Sequence, residues 1–217
     1  MVMLFENRAH AGQLLAQRLI DYKDRNPLVL GIPRGAMPMA KIIADFLGGQ
    51  LDVILVHKLG APGQPELAIG AIDETGNYFL SGSGADIDDA HLDAERHDQF
   101  EILQKRRAQY TPLRPPIDPH DRISIIVDDG IATGSTITAA LRAVRARKPK
   151  RLVAAAAVAS SEAMRAMSDE ADAVVCLNVP ADFLAVGQFF RDFSQVSDQE
   201  VINILRATES QLPAGSC

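Results

Sequence analysis

The chain has 217 residues, 47% hydrophobic and 23% charged, the composition of an ordinary globular domain long enough to bury its own core. A formal net charge of −6 and a sequence pI near 5.3 argue against general nucleic-acid binding, which favours a basic face. An anionic ligand would need local positive charge or a bound metal ion.

Apolar residues at Ala11, Leu14, Leu15, Ala16, Leu19 and Ile20 predict a helix from Asn7, its N-cap, to Arg25. Leu28–Ile32 is a short apolar run after Pro27, a buried strand. Gly35 to Leu47 follows as a helix closed by Gly48 and Gly49. Leu51–His57 is a second strand, and Lys58 to Glu66, rich in Gly, Pro and Ala, a loop. Ile69–Ile72 and Tyr78–Leu80, separated by a Glu-Thr-Gly-Asn turn, form a hairpin. Ile87 to Tyr110 is a charged helix that serves as a solvated face or as a subunit contact, and prolines between 112 and 119 end it. Ile123–Val127, Leu152–Ala159 and Ala173–Val179 are further strands, with helices at Ser135–Arg147 and Ser161–Ser168. Ser197 and Glu200 give a capping box for a last helix to about Arg206. Strands that are continuous apolar runs, alternating with helices, predict an α/β fold with a parallel-sheet core and helices on both faces. One domain, 1–217, is expected, with an inserted hairpin and helix at about 69–116 and a C-terminal hood at about 178–217.

Cys176 and Cys217 build neither a disulfide framework nor a metal-ligand spacing. Met1–Phe5 reaches Glu6 and Arg8 too soon for a signal peptide. Leu152–Ala159, the longest apolar run, is far below the ~20 residues of a bilayer span. A soluble cytoplasmic protein with no membrane partner is expected, and a homodimer is the commonest assembly by base rate.

The chemistry concentrates in Val127-Asp-Asp-Gly-Ile-Ala-Thr-Gly-Ser-Thr136, a strand end with two carboxylates followed by a small-residue loop that opens a helix. Gly130 and Gly134 let the backbone approach a bound group. Thr133, Ser135 and Thr136 add hydroxyl donors, and the helix start adds free amides, so an anion fits there. Asp128 and Asp129 repel phosphate and suit sugar hydroxyls or a divalent cation. A tight turn with capping acids is the plainer alternative. Neither a Walker loop nor a dinucleotide fingerprint matches, since no Lys follows Gly134 and carboxylates stand where a Rossmann loop places glycines.

This run resembles the phosphoribosyl pyrophosphate motif of the type I phosphoribosyltransferases, with Gly130 where that family usually carries a branched aliphatic residue. The resemblance implies that Asp128 and Asp129 bind the ribose 2′- and 3′-hydroxyls and that Ala132 to Thr136, with Gly130 and Ile131 in the same loop, wrap the 5′-phosphate. It also implies Mg²⁺ as cofactor, near Asp128 and Asp129. Two more loops follow the family order. Pro33-Arg34-Gly35 is the pyrophosphate turn, in which Arg34 offers a fork of donors or else merely snorkels at a helix start. Lys58 opens a Gly/Pro lid and either reaches the leaving pyrophosphate or is a solvated surface lysine.

The whole chain is similar to a bacterial group of such proteins of unassigned acceptor, through Pro33-Arg34-Gly35, the Lys58–Ile69 run and Asp192-Phe-Ser-Gln-Val-Ser-Asp198. The resemblance implies transfer of ribose 5-phosphate to a nitrogenous base or other amine, with Arg34, Lys58, Asp128 and Asp129 as the catalytic set. Val179, Phe183, Phe190 and Arg191 would mark the acceptor or hood region, although Phe183, Phe189 and Phe190 read more readily as core. Phe189-Phe-Arg-Asp192 is similar to a run of the hypoxanthine–guanine enzymes. Ala185 stands where those enzymes place an acid, so their base specificity does not carry over. A regulatory protein of the same fold that binds phosphoribosyl pyrophosphate or a nucleotide without turnover is the alternative.

Overall fold

The structure, a computed structural model, describes residues 3–80, 87–112 and 115–209. Helix α1 spans Arg8–Arg18, capped by Asn7, whose side chain accepts from the His10 amide at 3.0 Å. It stops well short of the expected Arg25. Asn26 precedes Pro27, where right-handed helix is disfavoured, and Asp24 and Asn26 take left-handed dihedrals (φ 58° and 48°), leaving only a 3₁₀ turn at Ile20–Tyr22.

Strand β1 is Leu28–Gly31 and helix α2 is Met37–Leu47, closed by Gly48 at φ 65°. The helix begins two residues after the expected Gly35 because Pro33–Gly35 forms a separate turn, in which the Pro33–Arg34 peptide is cis. The run expected as one strand, Leu51–His57, is two. Strand β2 (Gln50–Val53) pairs with β1, and β3 (Val56–Ala61) starts a second sheet.

The expected lid loop at Lys58–Glu66 is corrected in the same way. Strand β4 (Gln64–Asp73) pairs antiparallel with β3, with Lys58 opposite Ala71, and the connection shrinks to Pro62–Gly63, with Gly63 at φ 70°. Strand β5 (Tyr78–Leu80) completes the hairpin that the sequence predicts. Its turn is held by Asp73, which accepts from the Thr75 amide, the Thr75 hydroxyl and the Asn77 amide. Helix α3 (Asp89–Tyr110) is clasped to both sheets by Arg107. That buried guanidinium donates to Asp52 on β2 at 2.8 Å, to the Val53 carbonyl at 3.0 Å and to the buried Glu74 beyond β4.

The rest follows the expected alternation: β6 (Ile123–Asp128), α4 (Ser135–Ala146), β7 (Arg151–Val158), α5 (Ser161–Glu170), β8 (Ala173–Asn178) and α6 (Asp198–Glu209). All neighbours in the five-stranded sheet β2-β1-β6-β7-β8 are parallel. The side-chain period of two divides its strands between two cores. Val29, Ile125, Val127, Val153 and Ala155 face α1, α2, α3 and α6, while Leu28, Leu30, Ile126, Leu152 and Ala154 face α4 and α5. The predicted fold class, a parallel α/β core with helices on both faces, is the observed one. No helix among the described residues is long and apolar enough to cross a membrane.

Candidate active site

Chain order decides where a site can form in this sheet. From β1 the chain moves outward one way to β2, and from β6 it moves the other way to β7 and β8, so β1 and β6 flank the point where the winding reverses. Loops leaving two such strands diverge to opposite faces and leave a crevice at the carboxyl ends. Here Gly31 is in register with Val127, and the Ile32 amide donates to the Val127 carbonyl at 3.0 Å. The turn Pro33–Gly35 and the carboxylates Asp128 and Asp129 therefore come out side by side. A Cβ on Gly35 would lie 2.1 Å from Asp129 Oδ2, so only glycine allows this approach.

Asp129 is tied down from the other side. Arg8 Nε donates to Asp129 Oδ2 at 2.7 Å with both side chains largely buried, and Arg8 Nη1 donates to the Ser194 carbonyl at 2.7 Å. The Arg8 guanidinium lies over the Phe193 ring, 3.8 Å from its centroid. Asp128 accepts from the Asp129 amide at 2.8 Å. Burial, then the neighbouring Asp129 charge, raise the Asp128 carboxyl well above the usual carboxylate range. Arg34 donates through Nη1 to Asp198 at 3.2 Å. Together Arg8, Ile32–Gly35, Asp128, Asp129, Val186 and Phe193 wall a cleft of about 390 Å³.

Beyond Gly130 the loop turns outward. Ile131 is pinned by backbone bonds to Val158 and Ser160, and Ala132, Thr133, Ser135 and Thr136 are exposed. Gly134, at φ 83°, is the N-cap of α4 and provides no side-chain oxygen for the first amides of that helix. Those amides and the hydroxyls of Thr133 and Ser135, 3.1 Å apart, form a donor-rich surface for an anion.

The structure brings together Pro33, Arg34, Gly35, Asp128 and Asp129 in one cleft, while Thr133, Gly134 and Ser135 of the following loop line a second one. It places Lys58 elsewhere. Exposed on β3, Lys58 lines that second cleft of about 330 Å³ with Phe79, Thr133, Gly134, Ser135 and Arg142, which shares no lining residue with the cleft of Arg34. The expected hood residues do not gather at the first cleft. Phe190 is buried against Phe5 and Phe193, Phe183 packs on Phe189, Val179 is exposed, and Arg191 pairs with Glu6 on the surface.

Residues that local sequence reasoning missed take those places: Arg8, Val186 and Phe193. Gly130 carried a signal for one of them. A glycine where the resemblance leads one to expect a branched residue implies that another side chain fills the volume, and a Cβ on Gly130 would lie 2.2 Å from Val186 Cγ1. No group of three or more His, Cys, Asp or Glu suited to a metal assembles among the described residues. The Asp128–Asp129 pair can still give one or two carboxylate oxygens to a Mg²⁺ ion whose other ligands are phosphate oxygens and water.

Against known proteins, a family model described as the phosphoribosyl transferase domain matches residues 3–193. A Mycobacterium tuberculosis protein, recorded in two strains as "Putative phosphoribosyl transferase", is 43% identical over 98% of this chain, which spans only 49% of that relative's length. The crystal structure of TT1426 from Thermus thermophilus is 44% identical, with a TM-score of 0.86 over 94% of this chain and 98% of that one. A hypothetical protein from Neisseria gonorrhoeae, solved with bound ppGpp, shares the fold alone: 10% identity and a TM-score of 0.52 over 95% of this chain and 97% of that one. The chain belongs to the phosphoribosyl transferase domain family.

Proposed function

We propose that the chain transfers ribose 5-phosphate from Mg²⁺-bound phosphoribosyl pyrophosphate to a nitrogenous base or other amine. The bond from C1 to pyrophosphate breaks as the acceptor nitrogen bonds to C1 and gives up a proton. The observation that carries this reading is the contact of the Pro33–Gly35 turn with Asp129 at the winding reversal, which sets a pyrophosphate-type turn beside a ribose-type acid pair.

In this assignment the amides and hydroxyls from Ala132 to Thr136 hold the 5′-phosphate, and Asp128 and Asp129 accept from the ribose hydroxyls. Arg34 faces the leaving pyrophosphate, and Lys58, in the second cleft, adds positive charge near the phosphate loop. A magnesium ion held chiefly by phosphate oxygens, with Asp128 and Asp129 as the available protein donors, would neutralise the leaving group. Catalysis is then mostly orientation and charge stabilisation at an oxocarbenium-like carbon. The names of the Mycobacterium relatives support the transferase class.

Calorimetric titration with Mg²⁺ and phosphoribosyl pyrophosphate, followed by a pyrophosphate-release screen over purines, pyrimidines and other amines, tests the proposal. Saturable binding and release with at least one acceptor are expected. Asp128→Asn with Asp129→Asn should weaken binding about a hundredfold, through lost charge-assisted hydrogen bonds, with the chain still folded but its melting temperature lowered by loss of the Arg8–Asp129 pair. Unchanged affinity in that variant would discard the ribose assignment. Binding without release from any acceptor would point to the regulatory alternative.

A further inference from the structure

We infer that Asp198 and Tyr110 are positioning residues for Arg34, fixing its guanidinium at the pyrophosphate turn from two helices outside the parallel sheet. The inference rests on the transfer reading above.

Arg34 lies in a turn between β1 and α2, and its side chain is 36% exposed. A long side chain at such exposure is free to sample many rotamers, and an exposed ion pair alone does little to restrain it. Its partner Asp198, 45% exposed, differs from an ordinary surface carboxylate in having both oxygens held. Asp198 Oδ2 accepts from Arg34 at 3.2 Å while Oδ1 accepts from the Tyr110 hydroxyl at 2.5 Å, so each oxygen is committed to a different donor.

Tyr110 is 1% exposed and belongs to the main core at the end of α3. Asp198 is the first residue of α6, where the helix dipole favours a carboxylate, and Ser197 caps the same turn by accepting from the Glu200 amide at 3.2 Å. The Tyr110 hydroxyl first, and Arg34 after it, hold Asp198 below the usual carboxylate range, so it is ionised when it meets the guanidinium. A core-fixed phenol thus orients a carboxylate, and the carboxylate orients the arginine, as a supporting shell does for a site residue. This gives the Asp192–Asp198 run and the end of the inserted helix a role at the site that their own cleft contacts do not show.

The test separates this relay from a mere tie between α3 and α6. Affinities for Mg²⁺–pyrophosphate and for ribose 5-phosphate, which lacks the pyrophosphate, are measured for the wild-type chain, Asp198→Asn, Tyr110→Phe, Arg34→Ala and the double variant Asp198→Asn/Arg34→Ala. Asp198→Asn is expected to weaken pyrophosphate about tenfold and leave ribose 5-phosphate within about twofold. Bare Coulomb repulsion predicts the opposite sign, since removing an acid near an anion site would tighten pyrophosphate. Tyr110→Phe, which keeps the ring and so the packing, should weaken pyrophosphate about threefold.

Once Arg34 is alanine, the Asp198 substitution should have no further effect. Equal loss for both ligands, no loss, or additive losses in the double variant would overturn the relay. A wild-type chain that binds ribose 5-phosphate but not pyrophosphate would overturn the relay alone. One that binds neither ligand, nor phosphoribosyl pyrophosphate, would remove the proposed function itself.

Discussion

From Asp128 to Gly130 the loop after β6 is walled in by side chains: Asp129 sits against Gly35 and pairs with Arg8, and Val186 fills the space over Gly130. From Ala132 to Thr136 the same loop is open, and most of its residues are exposed. In the proposed assignment the closed half acts through a few charged atoms whose positions depend on distant residues. The open half would act largely through backbone amides, which substitutions other than to proline leave in place. A ligand gripped by both halves should therefore respond very differently to equally small changes at either end.

Gly35→Ala is the largest expected break in this comparison. The added Cβ would meet Asp129 Oδ2 at 2.1 Å and Cγ at 2.8 Å, and that carboxylate cannot swing aside without leaving Arg8. Overpacking of this kind costs about 1–3 kcal/mol, so affinity for Mg²⁺–phosphoribosyl pyrophosphate should fall by up to about a hundredfold in calorimetry. Thr136→Val, at the open end, should change it by no more than about fivefold, the worth of one ordinary hydrogen bond. Similar losses in both variants would erase the distinction between the halves.

The two halves are also unequally legible in the sequence. Apolar runs at Leu28–Ile32, Ile123–Val127 and Leu152–Ala159 announce buried parallel strands, because both faces of such strands are covered. The helix-opening loop at 128–136 carries its chemistry in adjacent residues. What surrounds Asp129 does not. Arg8 lies 121 positions away at the start of α1, with nothing local to mark it, and it meets Asp129 only because α1 and the C-terminal segment fold to the same end of the sheet. The segment from Lys58 reads as a lid because Gly60, Pro62, Gly63 and Pro65 hide a strand pattern. Its partner, β4, supplies the pairing that those residues do not advertise. Phe189 and Phe190 stand out as aromatic residues near a family-like run, yet both are buried.

Gly130→Val probes the seam between the halves. A branched side chain would collide with Val186, whose γ-carbons lie 2.2 and 2.6 Å from the point a Cβ on Gly130 would occupy. Val186 is itself β-branched and has little rotamer freedom with which to yield. A loss of about 1–3 kcal/mol in denaturant unfolding is expected. Val186→Ala in the same chain should return most of it, giving a coupling energy outside the range of independent sites. Additive losses would show that Val186 does not occupy the volume that a branched residue at position 130 would fill.

The smallest effect is a fraction of a proton, and it separates the halves by titration instead of packing. Burial and the Asp129 charge raise the Asp128 carboxyl, so the folded chain holds this proton more tightly than the unfolded one. The contribution to stability is therefore greatest below the unfolded value of about 3.9 and declines as pH rises towards the folded value. In the proposed assignment ribose hydroxyls donate to Asp128 and favour its ionised form, so ligand binding should expel whatever proton remains there. Affinity should then climb with pH up to the folded value and level off above it. Calorimetry in buffers of different ionisation enthalpy should find wild-type protein releasing more protons than Asp128→Asn on binding the same ligand. The open half, built on amides and hydroxyls, offers no carboxylate to add to that difference, so equal release from the two proteins would move the ribose contact away from Asp128.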